Sequence, residues 1–260
     1  MFNFFRLVHN ENIKIYARVR TWIMLGVLGL VGLLMPVLFG YVSEDIGVWS
    51  AMNTLLQFWF LPTVFTIAVA ADTVAGEFSR GTIKLLLIRP WSRIKILLSK
   101  YIAVALFMLA LYALLVGLGL GMSVLLFGHS SGTTDILGQL SGSLSDYFWW
   151  SLLYRLVDCL IYVTMAFMFS SVFRSNSLSV ALTIILLFMG GLITLLVNPA
   201  KYELGRYLLF ANMDLSQYIS DETGSYGVSS LGFSLSVLAA YYVSFLILTF
   251  WVFRKRDVAA

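Results

Sequence analysis

Residues 22–41 read WIMLGVLGLVGLLMPVLFGY, twenty consecutive residues without a charge. A helix that crosses the hydrocarbon core of a membrane needs about 20 mostly apolar residues. Five further stretches meet this requirement, namely 49–71, 101–127, 148–173, 178–197 and 231–253. Because a helix satisfies its own backbone hydrogen bonds in lipid, the sequence predicts an all-α, polytopic membrane protein with six transmembrane helices.

The composition excludes a soluble protein. Of 260 residues, 60% are hydrophobic and 12% are charged, and the mean hydropathy is +0.90. Soluble domains carry about 25% charged residues, so a water-soluble fold of this composition would expose apolar patches over its surface. Soluble enzymes, disordered chains and disulfide scaffolds are therefore excluded. Transmembrane β-barrels are excluded too, because their strands alternate polar and apolar residues over about ten positions.

The basic residues are concentrated on one side of these six stretches. Fourteen of the 17 Lys and Arg residues fall in the two terminal tails and in the connections after the second and fourth stretches. The opposite side has Lys201 and Arg206, and Arg155 lies within a stretch. Because cytoplasmic loops carry an excess of Lys and Arg, we expect both termini to be cytoplasmic. The net charge of +4 is then a topology signal and a docking surface, and not a nucleic-acid footprint.

The segments outside the stretches differ in character, and residues 1–260 are expected to form a single transmembrane domain. Residues 1–20 interleave apolar residues with Arg and Lys, which favours an amphipathic helix at the inner interface. A frayed basic tail is the alternative. On the outer side, residues 128–146 are Gly/Ser-rich and predict a mobile loop. The long loop 198–230 contains apolar residues that favour short interfacial helices. We expect the stretch 22–41 to be an uncleaved signal-anchor.

The connection after the second stretch is the most informative segment. Residues 71–101 read ADTVAGEFSRGTIKLLLIRPWSRIKILLSKY. Gly81 and Pro90 bound a short run that favours an amphipathic helix, and Ser92 is suited to cap the next helix. Leucines 85–87 cannot all face one side of a helix, so part of this apolar surface needs a partner.

This segment contains, in order, Glu77, Gly81-Thr82-Ile83-Lys84, Arg89-Pro90, Ser92-Arg93 and Ile96-Leu97-Leu98-Ser99-Lys100. These residues resemble the intracellular loop of type-2 ATP-binding-cassette (ABC) exporter permeases. The six spans, the internal termini and the N-terminal amphipathic helix agree with that family. The resemblance implies that residues 78–92 are a coupling region, which docks on a separate ATPase subunit. The implied coupling residues are Glu77, Arg80, Gly81, Thr82, Ile83, Lys84, Leu85, Arg89 and Pro90.

Glu77 is suited to anchor the base of the coupling region. Its expected partners are Arg80, Lys84 or a residue of the ATPase. The alternative is a solvated surface carboxylate with no such role.

The resemblance also implies a function. The chain would be the permease subunit of an exporter in the cytoplasmic (inner) membrane of a prokaryote. It would pair with a second copy or a related permease, and with two ATPase subunits that hold ATP and Mg. We expect no enzyme activity and no bound cofactor, because the chain has no GxxxxGK[ST] motif. The expected cargo is amphipathic or hydrophobic, such as a drug, a peptide antibiotic or a lipid-like molecule. A membrane sensor of an ABC-type complex and an ion-coupled carrier stay open as alternatives.

Polar residues within the apolar stretches are further candidates. Arg155 and Asp158 are three positions apart and share a helix face. They predict either a substrate contact or a local ion pair near the outer interface, which is favoured. Asn53 and Gln57 are candidate pathway residues or interhelical contacts. Asp72 is expected to cap a helix break at the inner end of the second stretch, or to line the cytoplasmic mouth.

Two residue sets carry weaker signals. His9 and His129 fall on opposite sides of the membrane, so no metal site is expected. Gly117 and Gly121 have the GxxxG spacing, and glycines 190–191 are adjacent in the fifth stretch. Both sets favour close helix packing or dimerisation over a pathway role.

Overall fold

A computed structural model describes residues 2–42, 47–79, 92–128, 144–220 and 230–255. Within these ranges the chain consists of helices and their connections, without a β-strand. The predicted all-α class is therefore confirmed.

The α-helices of the described residues include six that are long and apolar enough to cross a membrane, as predicted. In chain order the α-helices are α1 (Phe2–Tyr16), α2 (Val19–Val42), α3 (Val48–Leu55), α4 (Phe60–Ser79), α5 (Arg93–Phe127), α6 (Leu144–Phe173), α7 (Asn176–Val197), α8 (Gln217–Ser220) and α9 (Leu231–Lys255). Short 3-10 helices lie at Leu56–Trp59, Glu203–Tyr207 and Leu209–Asn212. The six spans are Val19–Val42, Val48–Glu77, Ile94–Phe127, Leu144–Phe173, Asn176–Val197 and Leu231–Arg254.

Helix α6 is the most buried of the six spans and lies at the centre of the bundle. It packs against α4, α7 and α9, while α5 packs against α1, α2 and α4. Helices α2, α7 and α9 lie at the periphery and expose large apolar side chains such as Leu34, Phe188 and Ile247. Apolar faces of this extent are expected in a protein that is surrounded by lipid.

The segments that were predicted to share one side of the membrane lie at one end of the bundle. Lys14 of α1 lies 3.5 Å from Glu77 near the end of α4. Asn176, at the start of α7, donates to Asp72 of α4 at 3.3 Å. Phe253 near the end of α9 packs on a cluster that includes the start of α5. We call this end of the bundle the inner end; its position on the cytoplasmic side stays a prediction.

The second span is interrupted at the position of its proline. Helix α3 tightens into the 3-10 helix Leu56–Trp59 before α4 begins. Pro62 follows directly in the first turn of α4. Its ring has no N–H to donate and would clash with the carbonyl of Phe58 in a continuous α-helix. The tighter 3-10 turn relieves this conflict, so the helix type changes briefly within the second span.

Helix α5 begins where the sequence predicted a cap. The Ser92 Oγ accepts a hydrogen bond from the Lys95 backbone N–H at 3.4 Å. The helix then continues without a break to Phe127, so it extends about two turns further towards the inner end than the apolar stretch alone predicts.

Helix α1 packs on the bundle and turns sharply into α2. Val8 and Ile15 are buried, and the Tyr16 ring meets Phe107 of α5 edge-on at 5.8 Å. This packing partly buries the Tyr16 phenol and raises its pKa. At the turn, the Thr21 hydroxyl donates to the Ile15 carbonyl at 2.6 Å. Residues 2–16 thus form a helix held against the protein, and its placement at the membrane interface stays a prediction.

The described part of the long outer loop folds back on α7 and α9. The Phe210 ring lies where a side chain on Gly190 would otherwise sit. The Asn212 amide donates to the Arg206 carbonyl at 2.7 Å and accepts from Ser234 of α9 at 2.7 Å. This buried amide fixes the short 3-10 helices over the outer ends of two spans.

In α5, the glycine that makes a close contact is not one of the two glycines with the GxxxG spacing. A Cβ built on Gly117 or Gly121 meets no atom of the described residues within 4 Å, so neither glycine makes a close helix contact in that part of the chain. A Cβ on Gly119 would instead overlap the buried Leu55 side chain of α3. In α7, Gly190 makes a close approach and Gly191 does not.

The Gly119→Ala variant is expected to lose about 1–3 kcal/mol of unfolding free energy, because its new methyl group overpacks the contact with Leu55. Gly117→Ala is the matched control, since the same methyl group would enter open space on the same helix. Thermal unfolding of both purified variants in mild detergent measures the difference. Equal melting temperatures would contradict the close approach at Gly119.

Candidate functional site

The structure describes the two flanks of the predicted coupling region. Glu77 lies near the end of α4, and α5 begins at Arg93 on the other side. The remaining predicted coupling residues lie outside the described residues; they are Arg80, Gly81, Thr82, Ile83, Lys84, Leu85, Arg89 and Pro90. The site is therefore built from the residues that hold the base of this segment.

Four charged residues form a compact cluster at that base, which we call the inner charge cluster: Glu11, Lys14, Glu77 and Lys100. The Lys100 ammonium donates to Glu11 Oε2 at 2.8 Å and to Glu77 Oε1 at 3.0 Å. The Lys14 ammonium lies 2.7 Å from Glu11 Oε1 and 3.5 Å from Glu77 Oε1. Two carboxylates and two ammonium groups thus alternate, and the cluster joins α1, α4 and α5.

The inner charge cluster is largely removed from solvent. Lys100 is 4% exposed and Glu11 is 8% exposed. Burying an isolated charge is expensive, and a cluster of this kind persists only when every charge has a close partner. Glu77 bridges two lysines, and its side chain is 17% exposed. The alternative of a solvated surface carboxylate for Glu77 therefore does not hold.

A second cluster lies beside the first and fixes the turn between α1 and α2; we call it the corner cluster. Asp72 of α4 accepts from Arg18, from Arg20 at 2.5 Å, and from the Asn176 amide at 3.3 Å. Asp72 is buried and lies inside α4, which runs on to Ser79. The expectation that Asp72 caps a helix break is therefore wrong.

The two clusters make the inner end of the bundle a single charged layer. The inner charge cluster connects α1 with α4 and α5, and the corner cluster connects the α1–α2 turn with α4 and α7. A displacement at the base of the predicted coupling region would thus reach four spans. This arrangement is suited to transmit a rigid-body movement.

The predicted pair Arg155 and Asp158 is brought together. Arg155 Nη1 lies 3.5 Å from Asp158 Oδ2. The guanidinium also lies 3.7 Å from Asp214 and 3.5 Å from the Ser216 hydroxyl, both in the outer loop. Its Cζ atom sits over the Trp59 ring at 4.8 Å, within cation–π range. Arg155 therefore connects α6 with the second span and with the outer loop.

The candidate pathway residues Asn53 and Gln57 have different surroundings. The Asn53 amide is half-buried and donates to the Leu144 carbonyl at 3.3 Å, which joins α3 to the start of α6. The Gln57 side chain is exposed. A role of either residue in a pathway stays a prediction. In the part of the chain that the structure describes, no three His, Cys, Asp or Glu side chains form a group that could hold a metal ion.

Sequence reasoning missed the partners that complete both clusters. Glu11 is an acid in a basic tail, and Lys100 is a basic residue that leads directly into an apolar stretch. Both are unusual enough to have been singled out as candidates for buried ion pairs. Arg18 and Arg20 were counted only as topology signals, although they hold Asp72.

Comparison with known sequences gives one family and two relatives. The sequence profile of a family described as "Protein of unknown function (DUF2705)" matches residues 32–259. "Uncharacterized protein YhcI" of Bacillus subtilis (strain 168) is 35% identical over an alignment of 316 positions, which covers 97% of this chain and 99% of that protein. "Uncharacterized membrane protein YdbK" of the same organism is 31% identical over 222 residues, which cover 84% of this chain and 82% of that protein. The name of the second relative agrees with the multi-pass membrane architecture.

Proposed function

We propose that this chain, which belongs to the DUF2705 family, is the permease subunit of an ATP-driven ABC exporter. A separate ATPase subunit would dock on residues 78–92 and supply the energy. The observation that carries this proposal is the buried inner charge cluster, which joins both flanks of that segment to each other and to α1. A loop that only connected two spans would not need a buried lysine held between two glutamates.

The geometry supports a mechanical role for the cluster. Glu77 lies two residues before the described end of α4, and Lys100 lies seven residues after the start of α5. Their 3.0 Å contact makes the two helix ends move as one body. When the ATPases close on ATP, they would push the segment between these ends. The push would pass through α4 and α5 to the spans and favour an outward-open state.

The energy source lies outside this chain in the proposal. ATP and Mg would be held by two ATPase subunits, since the sequence has no phosphate-binding GxxxxGK[ST] motif. A second copy of the chain or a related permease would complete the transporter. The cargo would be amphipathic or hydrophobic, and would leave across the cytoplasmic membrane of a prokaryote. The concentration of basic residues at one side supports this orientation.

The test is co-purification of the tagged full-length chain with an ABC-type ATPase subunit from the same cells. We expect Lys84→Glu to lower ATPase recovery at least about tenfold, because it reverses a charge on the proposed docking surface. Glu77→Lys is expected to abolish transport, because it places a third cation beside Lys14 and Lys100. Lys201→Glu is the matched control, since this exposed lysine lies on the opposite side.

Three outcomes would contradict the proposal. If Lys84→Glu and Glu77→Lys both retained ATPase association and transport, the coupling assignment would be wrong. Transport that survived removal of every ATPase would favour an ion-coupled carrier. A cellular response that required the outer loops while no flux was measured would favour a membrane sensor.

A further inference from the structure

Asp158 is a buried carboxylate at the middle of a membrane-spanning helix. It is the fifteenth of the thirty residues of α6 and is 3% exposed. At 1.5 Å per residue it lies about 21 Å from the first residue of α6, which places it near the middle of that helix. Ionisable residues at this depth are costly and usually serve a function.

The charges around Asp158 do not balance. Among the described residues, Arg155 is the one cation within 4 Å of Asp158, and the same guanidinium is within 4 Å of Asp214. Two carboxylates thus share one guanidinium. Asp214 is 64% exposed and also accepts a hydrogen bond from the Ser216 hydroxyl, so solvent and a neighbour stabilise it.

Asp158 has no comparable compensation. Its contact with Arg155 is 3.5 Å, longer than a strong charge-assisted hydrogen bond. Its second oxygen, Oδ1, is buried without a hydrogen-bond partner. Asp158 therefore lacks positive charge, because one of its oxygens has no hydrogen-bond partner and the distant guanidinium is shared with a second carboxylate. A purely structural ion pair would match one carboxylate with one cation, and both carboxylate oxygens would accept hydrogen bonds.

Aromatic residues lie near this deficit. Tyr162 is four positions after Asp158 on the same helix, so the two share a face, and the Tyr112 hydroxyl donates to the Trp59 carbonyl at 3.4 Å. Trp59 already holds the Arg155 guanidinium over its ring face. A carboxylate with aromatic residues nearby is suited to bind an organic cation, because the rings can pack on its apolar body and add cation–π attraction.

We propose that Asp158 binds the cationic group of an amphipathic organic cation, and that Arg155 is the internal cation that this ligand displaces. On displacement, Arg155 keeps Asp214 and Ser216, which it already contacts. The exchange therefore leaves no charge unpaired. The claim that the bound cation is cargo rests on the proposed function, and it narrows the amphipathic cargo to cations. The claim that Asp158 binds a cation does not depend on any ATPase.

The test uses two probes of the same shape and opposite charge, tetraphenylphosphonium and tetraphenylborate. Each is titrated into the full-length protein in lipid nanodiscs, with empty nanodiscs as the reference, and binding is followed by calorimetry. We expect Asp158→Asn to weaken binding of the cation at least about tenfold and not to weaken binding of the anion. We expect Arg155→Gln to strengthen binding of the cation at least about threefold, because it removes the competitor. Asp146→Asn, an exposed acid near the start of the same helix, is expected to change neither.

A purely structural role would move both probes in the same direction in each variant, and that result would overturn the proposal. The proposal would also be overturned if the wild-type protein did not bind tetraphenylphosphonium, or if Asp158→Asn bound it as tightly as the wild type. If Asp158→Asn does not fold, Arg155→Gln decides alone, since unchanged or weaker cation binding contradicts the exchange. Because the assay needs no ATPase, the binding proposal can fail while ATPase association is retained. ATPase association can likewise be absent while the binding proposal holds.

Discussion

Replacing Lys100 by methionine is expected to lower the free energy of unfolding by about 3–5 kcal/mol, because it removes a buried cation that the buried Glu11 and the partly buried Glu77 share. The Lys100 ammonium lies 2.8 Å from Glu11 and 3.0 Å from Glu77. Methionine retains an unbranched apolar side chain and loses the charge. Of the cluster's cations only Lys14 would remain, and its side chain is 48% exposed. Unfolding in mixed micelles by increasing dodecyl sulfate, followed by tryptophan fluorescence, measures the loss.

Two further variants separate the charge effect from the loss of the lysine itself. Lys95→Met changes an exposed lysine in the first turn of the same helix and is expected to cost little. Adding Glu11→Gln to the Lys100 variant removes one uncompensated carboxylate, so it is expected to recover part of the lost stability. A Lys100 variant as stable as the Lys95 variant would show that the cluster is hydrated and does not hold the helices together.

The spans were predictable because length and apolar composition decide them. Lipid demands about 20 apolar residues per helix, and this demand acts locally on the sequence. The Ser92 cap was predictable for the same reason, since a cap depends on residues within one turn. These features need no knowledge of which helices are neighbours.

The charge clusters were not predictable, because they depend on which helices pack together. Glu11 and Lys100 are 89 positions apart, and rules for helical charge pairs reach only three or four positions. Sorting charges by side placed both near one membrane surface and left every pairing open. The packing of α1 on α5 then selects the partners.

The wrong expectation for Asp72 has a similar cause. The apolar stretch ends near this residue, and a helix break seemed due there. In the structure, the Ser170 hydroxyl of α6 accepts from the Ala75 backbone N–H at 2.8 Å and donates to the Ala71 carbonyl. This contact with the central helix supports α4 beyond the apolar stretch, so the helix carries Asp72 and Glu77 on one rigid element.

Replacing Asp72 by asparagine is expected to lower the free energy of unfolding by about 3 kcal/mol, because two arginines lose the carboxylate between them. Arg18 and Arg20 both contact Asp72, and Arg20 does so at 2.5 Å. They lie at the turn between α1 and α2, so the loss is expected to loosen that turn. Hydrogen exchange of backbone amides 17–21 should become faster, and the same amides should stay protected in Glu203→Gln, a loss of an exposed acid in the outer loop.

A second substitution distinguishes repulsion between the two arginines from simple loss of a hydrogen bond. Arg20→Gln in the Asp72→Asn background removes one of two neighbouring cations, so it is expected to restore part of the stability and slow the exchange again. If the missing hydrogen bonds alone caused the effect, the second change would add to the damage, because it removes another donor. Partial rescue would mean that the turn is held by charge, and that α1 moves with α4 when the proposed coupling region is pushed. Unchanged hydrogen exchange at residues 17–21 in the Asp72→Asn variant would mean that α1 does not move with α4.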